Sequence, residues 1–411
     1  MYRILIFTGK QAYPLIMDAL AVTKRSILRK YDICVKKIDV SVAAFITPRK
    51  ILARKKEIFE FQPDLILVPG LCKKDFKLVE METGFKTRKG TDNAGQLPVL
   101  LEQLDSLSAV LSTEKSADRF LGLKYRDKTL ATLKNRLVDQ ILLSTPRNFI
   151  TTSGLTIGLD FPARIFSEIV DASVKPLNRV LEEARYFKNL GADVIDFGCV
   201  INVRKPENVE NGIKAIIQET GMPVSIDSLN PNEIKAGVEA GAEVVISIDH
   251  GNKAILSQLH GDLGLVLLPT NVVKGYFPED VGERVNSLLE IEKEVRDKGF
   301  SKILADLVLE APIIPGFSKS LISFIEFRKR STTPMFAGTG NVTEFVEADS
   351  SGVNALLAVI FQELGIAGML TTEEAPFTIN STRELVQSAW LVYSASVNQR
   401  VPKKLGENAL F

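Results

Sequence analysis

Acidic residues stand at the ends of three consecutive apolar segments in the middle of the chain. The segments end at Asp196, Asp227 and Asp249, each is rich in Val and Ile, and helical segments separate them. Such runs are typical of buried parallel strands. A carboxylate has no packing reason to lie there, whereas the carboxyl ends of barrel strands open on one face and form the substrate site. We therefore predict that the three carboxylates converge on one pocket.

The chemistry of this pocket follows from what a carboxylate can accept. One carboxylate takes two hydrogen bonds side by side, which suits a pterin or guanine-like ring that offers an amino group and a ring N–H. The same oxygens suit a divalent metal, and each aspartate could instead cap a helix or anchor a loop. The short polar residues at the predicted strand ends are Asp160, Asp196, Asp227, Ser247, Asp249, Asn271, Asp306, Asn341 and Thr371.

Residues 151–411 have the length and the alternating pattern of a (β/α)₈ barrel, which typically takes about 250 residues. Helical segments separate the predicted strands and follow the last of them. The eight predicted strands are Leu155–Asp160, Val194–Phe197, Val224–Asp227, Val244–Asp249, Leu263–Leu268, Ile303–Asp306, Met335–Ala337 and Gly365–Leu370.

A smaller α/β domain is predicted at residues 1–100, and a helical connector at 101–150. Strands at Arg3–Phe7, Ile33–Ile38 and Leu65–Val68 alternate with helical segments, which indicates a parallel sheet. The turn after the first strand lacks the three spaced glycines of a dinucleotide site. The polar, lysine-rich stretch Thr83–Asn93 is predicted to be a mobile or ligand-facing loop.

Composition limits the function classes. Lysine plus arginine (51) nearly balances aspartate plus glutamate (50), which argues against a nucleic-acid partner. The cysteines Cys34, Cys72 and Cys199 share no metal-type spacing, and a reduced compartment is the simplest interpretation. No segment approaches a membrane span. We expect a cytoplasmic protein that acts on small molecules and has no membrane partner.

Three motifs resemble the pterin-binding enzymes, dihydropteroate synthase in particular. Gly191–Gly198 reads Gly-Ala-Asp-Val-Ile-Asp-Phe-Gly, Pro223–Ser228 reads Pro-Val-Ser-Ile-Asp-Ser, and Glu239–Ala242 reads Glu-Ala-Gly-Ala. An α/β domain in front of such a barrel resembles the archaeal proteins related to dihydropteroate synthase. The resemblance therefore implies a pterin-binding TIM barrel.

The resemblance also implies roles for residues. The expected pterin-binding residues are Asp196, Asp227, Ser247, Asp249, Asp306 and Asn341. Asp160 lies nearest to the place of the family's metal- and diphosphate-binding asparagine, and Lys319 matches the lysine of Gly-Phe-Gly-Lys. Asp196, Asp227 and Lys319 are the expected catalytic residues, with Mg²⁺ as a possible cofactor at Asp160.

The implied reaction joins a dihydropterin methyl diphosphate to an aryl amine and releases diphosphate, in the biosynthesis of tetrahydromethanopterin or a related folate. A homodimer is expected by the same resemblance. Two departures keep alternatives open. Gly338–Thr343 is closer to methyltetrahydrofolate-dependent methyltransferases, and Gly368–Thr372 replaces the eighth-strand Arg-x-His of the synthases. The alternatives are a methyltransferase that uses a methyl-tetrahydropterin and a non-catalytic pterin-binding protein.

Overall fold

The computed structural model describes residues 1–403 and 405, with the side chains of Leu123 and Lys124 left aside. The described chain forms two compact units, Met1–Asp127 and Lys128–Lys403. The helix Leu123–Val138 begins in the first unit and ends in the second.

The first unit contains a parallel four-stranded sheet, which confirms the predicted smaller α/β domain. Its strands are β1 (Tyr2–Thr8), β2 (Tyr31–Lys37), β3 (Leu65–Val68) and β4 (Thr87–Lys89), in the order β2-β1-β3-β4. Alternate residues of β1 enter different apolar clusters, Ile4 and Ile6 on one face and Leu5 and Phe7 on the other. Both faces are covered by helices, as expected for a parallel sheet. The helices are α1 (Ala12–Ala21), α2 (Arg25–Leu28), α3 (Pro48–Leu52), α4 (Lys55–Phe61), α5 (Lys77–Thr83) and α6 (Leu97–Leu107).

The predicted loop Thr83–Asn93 is wrong in its centre, because Thr87–Lys89 forms strand β4 beside β3. Lys89 is buried, and its amine donates hydrogen bonds to the backbone carbonyls of Cys72 and Glu114. A charged residue can occupy this buried strand because backbone acceptors satisfy its ammonium group. The lysine-rich composition concealed the strand.

The second unit contains a closed barrel of eight parallel strands, which confirms the predicted fold. Each strand pairs with the next along the chain, and the last pairs with the first. The barrel strands are β7 (Arg164–Ile169), β8 (Val194–Gly198), β9 (Val224–Asp227), β10 (Val244–Ile248), β11 (Gly264–Leu267), β12 (Ile303–Asp306), β13 (Met335–Gly338) and β14 (Ile366–Thr371).

The predicted first barrel strand, Leu155–Asp160, is wrong. Its middle forms β6 (Thr156–Gly158), which pairs antiparallel with β5 (Asn148–Ile150), and Phe149 and Ile157 of this hairpin pack in the apolar cluster inside the barrel. The true first strand is β7. Its two charged residues interrupt the apolar run, and Arg164 is held by Asp193 at 3.2 Å.

Helices follow the barrel strands and cover their outer faces. In the described residues, no helix is long and apolar enough to cross a membrane. The helices from the end of the first unit onward are α7 (Leu123–Val138), α8 (Gln140–Leu143), α9 (Leu177–Leu190), α10 (Pro206–Thr220), α11 (Pro231–Glu239), α12 (Val281–Asp297), α13 (Phe317–Arg330), α14 (Gly340–Thr343), α15 (Ser350–Leu364) and α16 (Ser381–Asn398).

Strand alternation carries the acidic residues into the barrel interior. Phe166 of β7, Val194 of β8 and Leu304 of β12 belong to the apolar cluster inside the barrel. Side chains two residues apart on a strand share a face. Glu168, Asp196 and Asp306 therefore lie above this apolar layer, toward the carboxyl ends of the strands.

Candidate active site

Three carboxylates meet at the carboxyl ends of the first three barrel strands. Glu168 is the penultimate residue of β7, Asp196 lies on β8 and Asp227 ends β9. One oxygen atom from each side chain lies within 4.8 Å of the others. We call these three residues the acidic triad. The predicted convergence of Asp196 and Asp227 is present in the structure, and Glu168 is the third member in place of Asp249.

Asp196 carries an unsatisfied acceptor. The side chain is fully buried, and its Oδ1 accepts a hydrogen bond from the Ser225 hydroxyl. Its Oδ2 is buried and has no hydrogen-bond partner among the described residues. Such a group costs about 1–3 kcal/mol when left unpaired. A ligand that donates a hydrogen bond here would remove this cost.

Crowding and burial change the protonation of the acidic triad. Burial, together with the negative charges of Glu374 and Asp171, raises the pKa of Glu168 to about 7. Burial and the charges of its two neighbours raise the pKa of Asp196 well above its usual range, and burial and Glu168 do the same for Asp227. The acidic triad therefore holds protons near neutral pH, which a cationic or N–H-rich ligand would displace.

A fourth carboxylate, Asp306, ends β12 on the same face of the barrel. Burial raises its pKa to about 7, while the backbone N–H of Val308 and the nearby Arg284 guanidinium oppose the shift. The Val308 N–H donates to Asp306 Oδ1 at 2.7 Å. One oxygen remains for a ligand, because this is the only side-chain hydrogen bond of Asp306 within the described residues.

A cavity of about 640 Å³ opens above the triad, with Glu168 and Asp227 in its wall. Its volume suits a small-molecule ligand. The rest of the described lining comes from the loops after β8, β9 and β11 and from the start of α11: Cys199, Val200, Ile201, Asn202, Val203, Arg204, Ser228, Leu229, Asn230, Pro231, Glu233, Val272 and Val273. Burial and nearby carboxylates, Glu233 first, raise the pKa of the Cys199 thiol, so it stays protonated and is a poor nucleophile.

Comparison with known proteins identifies a family. An uncharacterised protein of Methanocaldococcus jannaschii is 35% identical over an alignment of 424 positions. The alignment covers 99% of this chain and 77% of that protein. The chain belongs to the family of this archaeal protein. The predicted relationship to an archaeal group is thereby confirmed. Residues 2–92 also match a family of unknown function, DUF6513.

The solved structures that resemble this archaeal-family chain include dihydropteroate synthases. The Yersinia pestis enzyme with a pterine–sulfa conjugate is 15% identical, with a TM-score of 0.48, and the match covers 61% of this chain and 99% of that one. The Xanthomonas albilineans enzyme in complex with 7,8-dihydropteroate is 18% identical, with a TM-score of 0.44, and the match covers 60% and 96% of the two chains.

Asp160 does not lie at the carboxyl end of a barrel strand in this family member. It precedes β7, accepts a hydrogen bond from Asn148 Nδ2 at 2.8 Å and lies 3.9 Å from Arg147. The expected place of Asp160, at the end of the first barrel strand, is therefore wrong, and Glu168 occupies that place. Loop length could have revealed this, since a strand ending at residue 160 leaves an unusually long connection to the helix that begins at Leu177.

Asp249 is a loop anchor. Its Oδ1 accepts from the backbone N–H groups of Gly251 and Asn252, and its Oδ2 accepts from the Thr270 hydroxyl and the Val272 N–H. Four donors from the protein leave no acceptor for a pterin, so its predicted ligand role is wrong. The buried Ser247 lies beside it in β10, where the pairing register with β11 shifts between Ile246 and Ile248.

Asn341 and Lys319 lie outside the lining of the triad cavity. The Asn341 amide donates to the backbone carbonyl of Leu309 at 2.8 Å and thereby joins α14 to the loop after β12. Lys319 is exposed in the first turn of α13, and within the described part of the chain it has no ion pair. The structure therefore does not bring Lys319 to the acidic triad.

We expect the barrel to lose stability as pH rises from about 4.5 to 7. Glu168 has a folded-state pKa of about 7 against an ordinary value of 4.5, so the folded barrel binds more protons than the unfolded chain in this window. The free energy of unfolding then falls by on the order of 3 kcal/mol. Urea denaturation at a series of pH values checks this, with Trp390 fluorescence as the signal, because the chain's single tryptophan lies in the barrel unit.

Glu168→Gln should flatten this pH profile, whereas the exposed Glu239→Gln should leave it unchanged. A Glu168→Gln profile as steep as that of the unmodified protein would show that Glu168 does not bind the extra protons of the folded barrel.

Proposed function

We propose that the barrel is a pterin-dependent transferase of the dihydropteroate synthase type. It would join a dihydropterin methyl diphosphate to an aryl amine. We also propose that the protein forms a homodimer. The observation that supports it most directly is the buried, unpaired Oδ2 of Asp196 beside Asp227. A pterin edge offers the N–H donors that these two carboxylates lack.

On pterin binding, the carboxyl groups of Asp196 and Asp227 would release their protons and accept hydrogen bonds from the ligand. Asp227 lines the cavity, and Asp196 lies in reach of the same ligand edge. In the proposed complex the ring amino group and an adjacent N–H donate to these carboxylates, which are then ionised. Charge-assisted hydrogen bonds in a site away from water are the strong ones. Asp306 has a free acceptor for a further N–H of the same ring.

Glu168 takes the position that the resemblance gives to metal and diphosphate. The triad offers only carboxylate oxygen atoms, the donors that Mg²⁺ prefers, and the unpaired Asp196 oxygen fits such an ion as well as a ligand N–H. Glu168 and its neighbours would hold the ion, which when bound offsets the negative charge of a departing diphosphate. Without such an ion, a diphosphate would be repelled by the acidic wall.

The remaining chemistry needs no strong base. Departure of diphosphate leaves positive charge on the pterin methylene carbon, and the carboxylates of the triad stabilise it. The neutral amine of the second substrate attacks that carbon, and its proton passes to water or to a carboxylate of the site.

One observation favours methyl transfer as a second candidate. Arg204 is the only arginine or lysine in the described lining of the cavity, and it is exposed. Such a site suits a ligand without phosphate, such as a methyl-tetrahydropterin. Protonated Glu168 or Asp306 could then donate a proton to the pterin nitrogen that carries the methyl group and so make it a better leaving group.

Paired titrations separate these candidates. A dihydropterin methyl diphosphate and a methyl-tetrahydropterin are each titrated calorimetrically into the full chain, with and without Mg²⁺. Tighter binding of the diphosphate that depends on Mg²⁺, followed by product formation with 4-aminobenzoate, supports the synthase. Preference for the methylated ligand supports methyl transfer. Binding of neither would remove the pterin proposal and leave only the barrel.

Mg²⁺ should increase the affinity for the dihydropterin methyl diphosphate about tenfold less in Glu168→Gln than in the unmodified protein. The reason is that one of the three carboxylates that would bind the ion is lost. Binding of a pterin that lacks the diphosphate should change by less than about threefold. Isothermal titration at several Mg²⁺ concentrations measures both. Equal losses for the two ligands would mean that Glu168 binds the pterin itself.

A further inference from the structure

The first unit has a cavity of its own. It encloses about 380 Å³ at the carboxyl ends of β1 and β3. In the sheet order β2-β1-β3-β4, β2 pairs with one edge of β1 and β3 pairs with the other edge, so the direction of strand addition reverses after β2. Open parallel sheets bind ligands at such a reversal of strand order. The cavity therefore lies where the topology itself opens a crevice.

The backbone around this cavity is closely packed. A Cβ atom on Gly9 would lie 2.8 Å from the backbone nitrogen of Ala43, and one on Gly70 would lie 2.6 Å from the backbone carbonyl oxygen of Gly90. Glycine at both positions lets the loops after β1 and β3 approach their neighbours. The cavity walls are therefore set by tight backbone contacts.

The lining argues against a phosphorylated ligand. No lysine or arginine is among the lining residues that the structure describes. Three backbone N–H groups at the start of α1, those of Lys10, Gln11 and Tyr13, already donate to carbonyl oxygens and are not available to a phosphate. Pro14 has no N–H. This site therefore differs from the anion sites found at many helix N-termini.

Two polar groups point to a ligand that donates hydrogen bonds. Thr8 lines the cavity and is only 2% exposed, and its hydroxyl has no hydrogen-bond partner in the described residues. Asp92 is the only ionisable lining residue; it is exposed, and its carboxylate has no protein partner within the described residues. The remaining wall is largely apolar, from side chains such as Leu15, Val42 and Leu97.

We infer that this cavity binds a small aromatic amine that carries no phosphate. The ring would lie against the apolar wall, and the amino group would donate hydrogen bonds to Asp92 and Thr8. This inference does not rest on the proposed function of the barrel, since every residue involved belongs to the first unit.

The experiment uses the full chain and three related probes: 4-aminobenzyl alcohol, benzyl alcohol and 4-aminobenzylphosphonic acid. Calorimetry should show the neutral amine binding about tenfold more tightly than the other two, which lack the donor or add an anion. Hydrogen-exchange mass spectrometry with the amine should show protection at residues 8–16 and 90–97. Equal binding of benzyl alcohol, tighter binding of the phosphonate, or protection confined to the barrel would overturn the inference.

Two variants and a control localise the site. Thr8→Val removes an unpaired hydroxyl without changing side-chain size, so the protein should stay folded and bind the amine about fivefold more weakly. Asp92→Asn should weaken the amine about tenfold and leave benzyl alcohol unchanged. Asp227→Asn in the barrel should leave amine binding unchanged. A loss with Asp227→Asn alone would place the amine in the barrel and refute the inference while leaving the pterin proposal standing.

Discussion

Asp227→Asn is expected to weaken pterin binding at least about 100-fold and, at the same time, to stabilise the ligand-free barrel. The loss of affinity follows from hydrogen-bond roles. A carboxylate accepts two bonds side by side, whereas an amide accepts at one atom and donates at the other, so its NH₂ group would face a ligand N–H. Losing a charge-assisted pair and leaving a buried donor unpaired costs roughly 3 kcal/mol, which corresponds to this factor.

The gain in stability has a separate cause. Burial raises the pKa of Asp227, and the nearby charge of Glu168 raises it further. A neutral amide removes this repulsion, and the effect should grow as pH rises above 7. Opposite changes in binding and stability are typical of functional residues kept at a cost to the fold. A merely structural aspartate would lose stability on replacement.

The measurement pairs calorimetric titration of a pterin ligand with urea denaturation followed by Trp390 fluorescence. The matched control is Asp160→Asn, the same substitution at the aspartate that lies before β7. That variant should bind pterin within about twofold of the unmodified protein. If Asp227→Asn retained full affinity, the shared premise of the synthase and the methyltransferase would be wrong.

Strand ends account for what the sequence could predict of this site. Continuous apolar runs carry Asp196, Asp227 and Asp306 at or near their ends. Such runs are easily recognised as strands, because a parallel barrel buries both faces of each strand. Once the barrel is predicted, its topology requires these side chains to share one face. No knowledge of side-chain contacts is needed for that step.

The errors arise where tertiary contacts override the local pattern. Glu168 was missed because Arg164 and Glu168 make β7 resemble a surface segment, although Arg164 is neutralised by Asp193 and Glu168 faces the site. The apolar run around Ile157 has the composition of a barrel strand, yet it packs inside the barrel as part of a hairpin. Periodicity alone cannot distinguish these two uses of a short apolar segment.

Asp249 shows a different limit of sequence reasoning. It follows a strand of the same kind as Asp196 and Asp227, so the three predictions had equal support. The difference lies in the donors around it, which come from the loop that follows and from Thr270 and Val272 beyond the next strand. Hydrogen-bond satisfaction of this kind decides between an anchor and a ligand group, and only the folded chain reveals it.

The loop after β12 depends on a buried ion pair. Arg284 of α12 is fully buried, and its guanidinium lies 2.9 Å from Glu310 and 4.4 Å from the centre of the Phe277 ring. It also donates from Nε to the Pro278 carbonyl at 3.1 Å. Glu310 in turn accepts from the Ser320 hydroxyl at 3.1 Å. These contacts tie α12, the loop and α13 together just beyond Asp306.

Arg284→Ala is therefore expected to lower the free energy of unfolding of the barrel by about 3–5 kcal/mol. Removing one partner leaves the carboxylate of Glu310 nearly buried without its cation, and the lost side chain leaves a void against Phe277. Urea denaturation followed by Trp390 fluorescence measures the change. Lys293→Ala is the control, because its ion pair with Asp297 is exposed and its loss should leave the free energy of unfolding nearly unchanged.

A double variant distinguishes an unpaired charge from lost packing. Arg284→Met combined with Glu310→Leu removes both charges and keeps apolar volume, so it should recover much of the lost stability. Pterin affinity should follow a different course, because the Arg284 guanidinium also opposes the rise in the pKa of Asp306. The double variant should therefore bind a pterin more weakly above pH 7, where the unmodified site has an ionised Asp306. Recovery of stability together with unchanged binding at pH 8 would show that the ion pair supports the loop without tuning the site.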